Sequence, residues 1–242
     1  MRRVVFPDPE ALAAIAAPLV ARRAAAAIAA RGRFLVALAG GRTPLPVFRR
    51  LAVEAVGIDW QAVELFWTDE RCVPPDHPAS NYGTAMDALV ARVPIPKASV
   101  HRMRGEAPPT QAASEYNDEL ERVLGSHGAL DLVLLGVGGD GHTASLFGDG
   151  ETLAEFGGRV AAVRSESAEP PLRLTLTLEF LNRSREALFL VTGKGKREAL
   201  ARIDRGEQLP ASRVCPVAST PLWFVDRAAA PSDGTRRRRC DG

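Results

Sequence analysis

Leu130-Asp131-Leu132-Val133-Leu134-Leu135-Gly136-Val137-Gly138-Gly139-Asp140-Gly141-His142-Thr143-Ala144-Ser145-Leu146-Phe147 joins an apolar run to a loop carrying four glycines. The run has the length and composition of a strand buried on both faces. The glycines let backbone N–H groups approach a ligand closely. Asp140, His142, Thr143 and Ser145 bring polar chemistry to the same strand end. In open α/β sheets ligands bind outside the carboxyl ends of the strands.

The same grammar recurs along the chain. An Ala-rich helix is expected from about Asp8 to Arg31, with Pro18 as a kink or break. The strand Phe34–Leu38 runs into Gly40-Gly41-Arg42-Thr43-Pro44, and Pro44 suits the first turn of a helix reaching about Val56. Val63–Trp67 reads as the next strand, ending in Thr68-Asp69-Glu70-Arg71, and Ser80-Asn81-Tyr82-Gly83 opens a helix to about Arg92. A polar helix fills roughly 109–124. Beyond the quoted run, Val160–Val163, Arg173–Thr177, Ala187–Val191 and Leu222–Val225 read as strands, and Lys196–Ile203 as a helix. The threonine–leucine alternation in Leu172–Thr177 marks a mixed or antiparallel element. Strands alternating with helices predict a single α/β domain, a mainly parallel open sheet with helices on both faces in a Rossmann-like topology. It is expected to occupy residues 1–230.

Composition bounds the function. Hydrophobic residues make up 46% and charged residues 25% of 242, as expected of a soluble globular protein. The net charge of +2 belongs to residues 231–242, where Arg236, Arg237, Arg238 and Arg239 outweigh Asp233 and Asp241. Residues 1–230 balance at 27 basic and 27 acidic groups, which calls for neither nucleic acid nor an anionic membrane as partner. The arginine run reads as a solvated, disordered tail whose removal leaves activity unchanged. Cys72, Cys215 and Cys240 show no metal or disulfide spacing, which fits a reducing cytoplasm. Pro7, Asp8, Pro9 and Glu10 interrupt any signal-peptide core, and Pro18, Arg22 and Arg23 break the apolar stretch 11–30.

Several segments carry chemistry. Gly40, Gly41, Arg42 and Thr43 lie between a strand and a helix, where glycine N–H groups, a hydroxyl and a helix end suit a phosphate; a tight βα turn needs glycine equally. Asp69, Glu70 and Arg71 alternate faces if extended, so Asp69 and Glu70 do not face each other as an acid–base pair. Arg71 is a planar donor for a phosphate or an oxyanion. Gly136, Gly138 and Gly141 satisfy GxGxxG, but Asp140 inside that loop would repel a pyrophosphate and no acidic strand end follows at the ribose-binding distance. Of four histidines, His77, His101 and His127 read as structural. His142 differs because Asp140 lies two residues away to orient it as a base. Ser145 lacks a nucleophile elbow. Arg173 and Gly193-Lys194-Gly195-Lys196-Arg197 add basic groups near later strand ends.

In order and spacing, five blocks resemble the 6-phosphogluconolactonases of the glucosamine-6-phosphate isomerase/6-phosphogluconolactonase superfamily, covering the chain to about residue 226. They are Ala39–Pro44; Phe66–Arg71 continuing through Val73–Pro78 to Ser80-Asn81-Tyr82; Gly136–Phe147; Pro170–Thr177; and Phe189–Gly193 with Lys196. The resemblance implies a hydrolase without cofactor or metal that opens a small-molecule phosphosugar lactone, as a monomer or small homo-oligomer. It implies His142 as the base that activates water, and Arg71 as a contact to substrate or to the tetrahedral intermediate. Gly40, Gly41, Arg42, Thr43, Lys196 and Arg173 would hold the phosphate, while Asp69 and Asp140 set loop geometry and protonation. Backbone N–H groups of 138–141 compete with Arg71 for the oxyanion. The chain departs from the family pattern at Arg42, often a small hydroxyl residue, at Gly148, commonly Pro, and at Glu169, frequently Lys.

Two other functions compete. Glucosamine-6-phosphate deaminase/isomerase shares the phosphate loop but needs an early aspartate as proton carrier, and the 67–71 and 142–147 blocks are lactonase-like. A non-catalytic sugar-phosphate-binding protein would carry a partner or DNA-binding domain, for which this length has no room.

Overall fold

The alternating pattern resolves into two hydrophobic layers, one on each face of a parallel sheet. A computed structural model describes residues 2–54, 57–125 and 128–231. The last turn of the helix expected to reach Val56, His127, Cys240 and the 232–242 tail lie outside the described residues. The chain opens with β1 (Arg2–Phe6), α1 (Pro9–Arg31), β2 (Phe34–Leu38), α2 (Leu45–Glu54) and β3 (Val63–Trp67). It continues through β4 (Asp69–Arg71), α3 (Asn81–Ala88), α4 (Pro109–Leu124) and β5 (Leu132–Leu135). Then come β6 (Glu151–Phe156), β7 (Val160–Arg164), β8 (Leu172–Leu176), α5 (Leu178–Arg183), β9 (Glu186–Val191), α6 (Arg197–Asp204) and β10 (Leu222–Asp226).

The main sheet has the order β1-β10-β9-β5-β2-β3, all parallel. Its strands read as continuous apolar runs because both faces are covered. Val36, Leu38, Leu132, Leu134, Leu188 and Leu190 point to one face, where they meet α1, α2 and α3. Leu35, Ala37, Val133, Leu135, Phe189 and Val191 point to the other, against α4, α5 and α6. Asp8 caps α1 by accepting from Ala11 N–H at 2.8 Å. The expected break at Pro18 does not occur: Pro18 sits on the exposed side while Ala13, Ala16, Ala17 and Val20 pack inward, and that packing carries the helix through.

The chain leaves the main sheet at Thr68, which donates its N–H to Leu38 O at 2.9 Å and accepts from Leu176 N–H at 2.8 Å. Residues 69–71 are therefore not the end of β3, as the sequence suggested, but a separate strand of a four-stranded antiparallel sheet ordered β4-β8-β7-β6. The antiparallel character expected of Leu172–Thr177 is borne out. This sheet shares the second core layer through Val160, Ala162, Leu174 and Leu176. Tyr116 of α4, almost wholly buried, pins the departure point by accepting Trp67 N–H at 3.0 Å and donating to Trp67 O at 3.3 Å. Tyr116→Phe strands both backbone groups and is expected to cost about 1–3 kcal/mol, read as a lower urea midpoint at unchanged slope.

Two strands escaped the sequence. β1 is an edge strand with Val4 and Val5 facing out, and β6 is an exposed edge with charges at both ends of its Glu151–Glu155 stretch. Neither shows the alternation or long apolar run of a strand, because most of its side chains face solvent.

Candidate active site

The strand order reverses between β2 and β5: the chain passes from β2 outward to β3, then returns to the other side of β2 for β5, β9 and β10. The crevice at such a switch point is where α/β sheets bind ligands. The loops that leave β2 and β5 here are 39–44 and 136–147, both rich in glycine.

In the β5 loop the backbone folds on itself, Gly138 N–H donating to His142 O at 2.8 Å and Gly141 N–H to Gly138 O at 3.1 Å. This turn brings His142 Nδ1 to 2.6 Å from Asp140 Oδ1, and His142 N–H also donates to that oxygen at 3.2 Å. Glycine at 138 leaves room for this contact: a Cβ there would stand 2.1 Å from His142 Nδ1 and 2.4 Å from Asp140 Oδ1. Phe147 backs the imidazole, ring centroids 4.5 Å apart. Partial burial pushes the Asp140 carboxyl up, but the His142 charge and hydrogen bonds outweigh it and hold the group below its ordinary value. With an ionised carboxylate at Nδ1, the proton is assigned to Nδ1 and Nε2 keeps its lone pair.

The β2 loop is tied to the start of α3 and to the end of β9. Gly40 approaches Asn81 so closely that a Cβ would lie 1.9 Å from Asn81 Oδ1, and Asn81 Nδ2 donates to Asp69 O at 2.9 Å. Thr43 Oγ1 lies 3.1 Å from Thr192 Oγ1, which joins the loop to the end of β9. Arg42 is exposed. After Thr192 the chain turns through Gly193–Lys196 into α6, and Gly139 faces the Gly195 carbonyl. Lys196 is half-buried; burial pushes its amine down and the Asp140 charge pulls it back up, so the ammonium stands in the field of the Asp140–His142 pair.

On the antiparallel sheet, register pairs Asp69 with Thr175 and Arg71 with Arg173, so these four share one face. Glu70 points the other way, as expected from strand alternation. Its buried carboxylate accepts from Asn81 N–H at 2.7 Å, Tyr82 N–H at 2.8 Å, Arg71 N–H at 2.7 Å and Ser80 Oγ at 3.1 Å, fixing the start of α3. Arg71 Nη1 donates to Ala79 O at 2.5 Å, while its buried Nε has no protein partner. Arg173 is 6% exposed and donates to Pro170 O at 2.6 Å and Glu169 O at 3.0 Å. Burial and the neighbouring Arg71 charge push its guanidinium down. Arg173 thus braces the 169–170 loop and sets charge beside Arg71; the Glu169 side chain faces out.

Among the other histidines, His77 accepts from Ala79 N–H and His101 is clamped between Glu64 and Glu119. Both are structural, as read from the sequence. Asn81, Thr192 and Thr175 were given no site role in the sequence, although each lies in a block that resembles the family, and Ser145 was weighed only as a nucleophile.

These are also the parts that align with known proteins. Residues 7–223 match the family model described as glucosamine-6-phosphate isomerases/6-phosphogluconolactonase. The chain belongs to this family. The human 6-phosphogluconolactonase is 42% identical over 236 residues, spanning 93% of this chain and 91% of the relative. The 6-phosphogluconolactonase of Synechocystis is 40% identical over 219 residues, 87% of this chain and 89% of its own. The crystal structure of 6-phosphogluconolactonase from Thermotoga maritima superposes with a TM-score of 0.82 at 31% identity, over 93% of this chain and 99% of that one. The family therefore has the α/β fold and the mainly parallel sheet described above.

Proposed function

We propose that this protein hydrolyses 6-phospho-D-glucono-1,5-lactone to 6-phospho-D-gluconate, the lactone-opening step of the oxidative pentose phosphate pathway, in the cytoplasm and without a cofactor. The observation that carries the reading is the Asp140–His142 pair at the switch point, with arginine and lysine charge on either side. The relatives named as 6-phosphogluconolactonases cover nearly all of the chain and support it.

In the proposed mechanism His142 Nε2 takes a proton from water as the water oxygen attacks the C1 carbonyl. The carbonyl oxygen becomes an oxyanion. Gly138 and Gly141 N–H groups serve the turn and His142 N–H serves Asp140, which leaves the Gly139 N–H and the Arg71 guanidinium as the donors to that oxyanion. Collapse breaks the bond from C1 to the ring oxygen, and the imidazolium returns its proton to that oxygen. The new carboxylic acid then ionises. Asp140 holds the ring and stabilises its charged form; it does not itself move the proton. Gly40, Gly41, Arg42 and Thr43 together with Lys196 hold the 6-phosphate, and Arg173 contributes charge through Arg71. Asp69 orders the site without touching substrate.

The test is the opening of freshly generated lactone, coupled to 6-phosphogluconate dehydrogenase and compared with the spontaneous rate. Acceleration that falls by about 10²- to 10⁴-fold in His142→Ala supports the assignment. Absence of acceleration, followed by ammonia release from glucosamine-6-phosphate, would replace it with the deaminase reading. Lys196→Ala removes a charge from the phosphate end and is expected to raise KM roughly tenfold with kcat little changed, measured in the same assay.

A further inference from the structure

Ser145 is 1% exposed, and its polar groups reach out of its own loop. Its Oγ donates to Asp69 Oδ2 at 2.8 Å and its N–H donates to Thr175 Oγ1 at 3.2 Å. Asp69 and Thr175 are register partners in β4 and β8, two residues along those strands from the pair Arg71 and Arg173. Both anchors are themselves fixed: Asp69 Oδ1 accepts from Thr68 Oγ1 at 3.4 Å, and Thr175 Oγ1 donates to Leu176 O at 3.0 Å. Asp69 and Thr175 are 6% and 0% exposed, so no water competes for these bonds.

Three residues earlier in the loop stands His142. Thr143, fully buried, ties the intervening backbone to the strand it came from through Thr143 Oγ1 and Gly136 O at 2.8 Å. Between the two ties, Ala144 is held at φ +48, a left-handed conformation that a side chain-bearing residue adopts only when its surroundings impose it. The loop is thus stretched between the parallel sheet and the antiparallel one. We infer that Ser145 is a positioning residue: bound to Asp69 and Thr175, it fixes the loop that carries His142 against the strands that carry Arg71 and Arg173. The base and the guanidinium come from different sheets, and this is a direct polar tie between the loop of one and the strands of the other. The catalytic meaning of the tie rests on the lactone-opening reading; the structural tie does not.

The test combines a spectroscopic and a kinetic measurement. Imidazole ¹⁵N signals of His142 are recorded without substrate in wild type, Ser145→Ala and Thr175→Val, the last preserving shape while removing the acceptor for Ser145 N–H. Both variants are expected to shift or broaden the His142 signals while those of His77 stay in place. In the lactone assay Ser145→Ala is expected to lower kcat about 10- to 100-fold with KM nearly constant, as misplacement of a catalytic group does. Placed on His142→Ala, the same substitution should cause no further loss, because it acts through the base. Unchanged His142 signals in both variants, or rate losses that multiply in the double variant, would overturn the inference. A wild type that opens no lactone overturns the function instead, and the imidazole signals still decide the role of Ser145.

Discussion

His142→Ala is expected to lower kcat by about 10²- to 10⁴-fold while KM for the lactone moves little. The size follows from what the ring alone supplies. Its Nδ1 faces the Asp140 carboxylate at 2.6 Å, and no other side chain is within hydrogen-bond distance of that ring among the described residues. His77 and His101 are engaged elsewhere, so neither substitutes for it. Residual acceleration should persist, because Arg71 and the phosphate contacts still orient an activated ester toward bulk water. Binding of the product 6-phosphogluconate, followed by calorimetry, should be nearly unchanged, since the phosphate end is built from other loops. Wild-type turnover in this variant would remove His142 from the reaction. A large loss of product affinity would instead place it among the binding groups.

The parallel core was legible because it repeats one physical statement. Phe34–Leu38 and Leu132–Leu135 are uninterrupted apolar runs, Val63–Trp67 is broken only by Glu64, and strands covered on both faces need such runs. β1 and β6 were not legible because most of their side chains are exposed and neither face imposes a pattern, whereas β3, also at an edge, is buried on both faces. The helix through Pro18 was misread for a related reason. Propensity penalises proline locally, whereas the packing of its neighbours on the sheet is tertiary and leaves no mark at position 18 itself.

The site was legible where its chemistry is local. Asp140 and His142 are two residues apart, and a turn rich in glycine announces their contact. The partners that come from afar were not. Ser145 meets Asp69 across 76 positions, and Thr43 meets Thr192 across 149. The shift of 69–71 from the end of β3 into its own strand matters most here. In a single strand Arg71 would have continued the main sheet; Thr68 instead hands it to the antiparallel sheet, where Arg173 stands alongside. No periodicity in Thr68-Asp69-Glu70-Arg71 distinguishes the two courses.

Gly138→Ala should disable the same base without touching it. Gly138 does not need left-handed backbone, so alanine meets no conformational penalty at that position. The added methyl, however, would lie 2.1 Å from His142 Nδ1, 2.3 Å from His142 Cε1 and 2.4 Å from Asp140 Oδ1. Atoms cannot share that space, and the side chains of His142 and Asp140 yield more easily than the backbone turn closed by Gly138 N–H and His142 O. The imidazole must therefore move by about an ångström or more, a displacement that costs roughly 10²-fold in rate. The expected outcome is a kcat depressed about a hundredfold or more, with the thermal midpoint lowered by only a few degrees. Gly141→Ala is the contrasting control. Its φ of +96 and the Leu209 Cβ 2.9 Å from the added atom impose strain on the fold, so its thermal midpoint should fall further. If Gly138→Ala keeps wild-type kcat, the working position of His142 is not the one in contact with Asp140. If it loses stability as Gly141→Ala does, the turn itself and not the imidazole has absorbed the methyl.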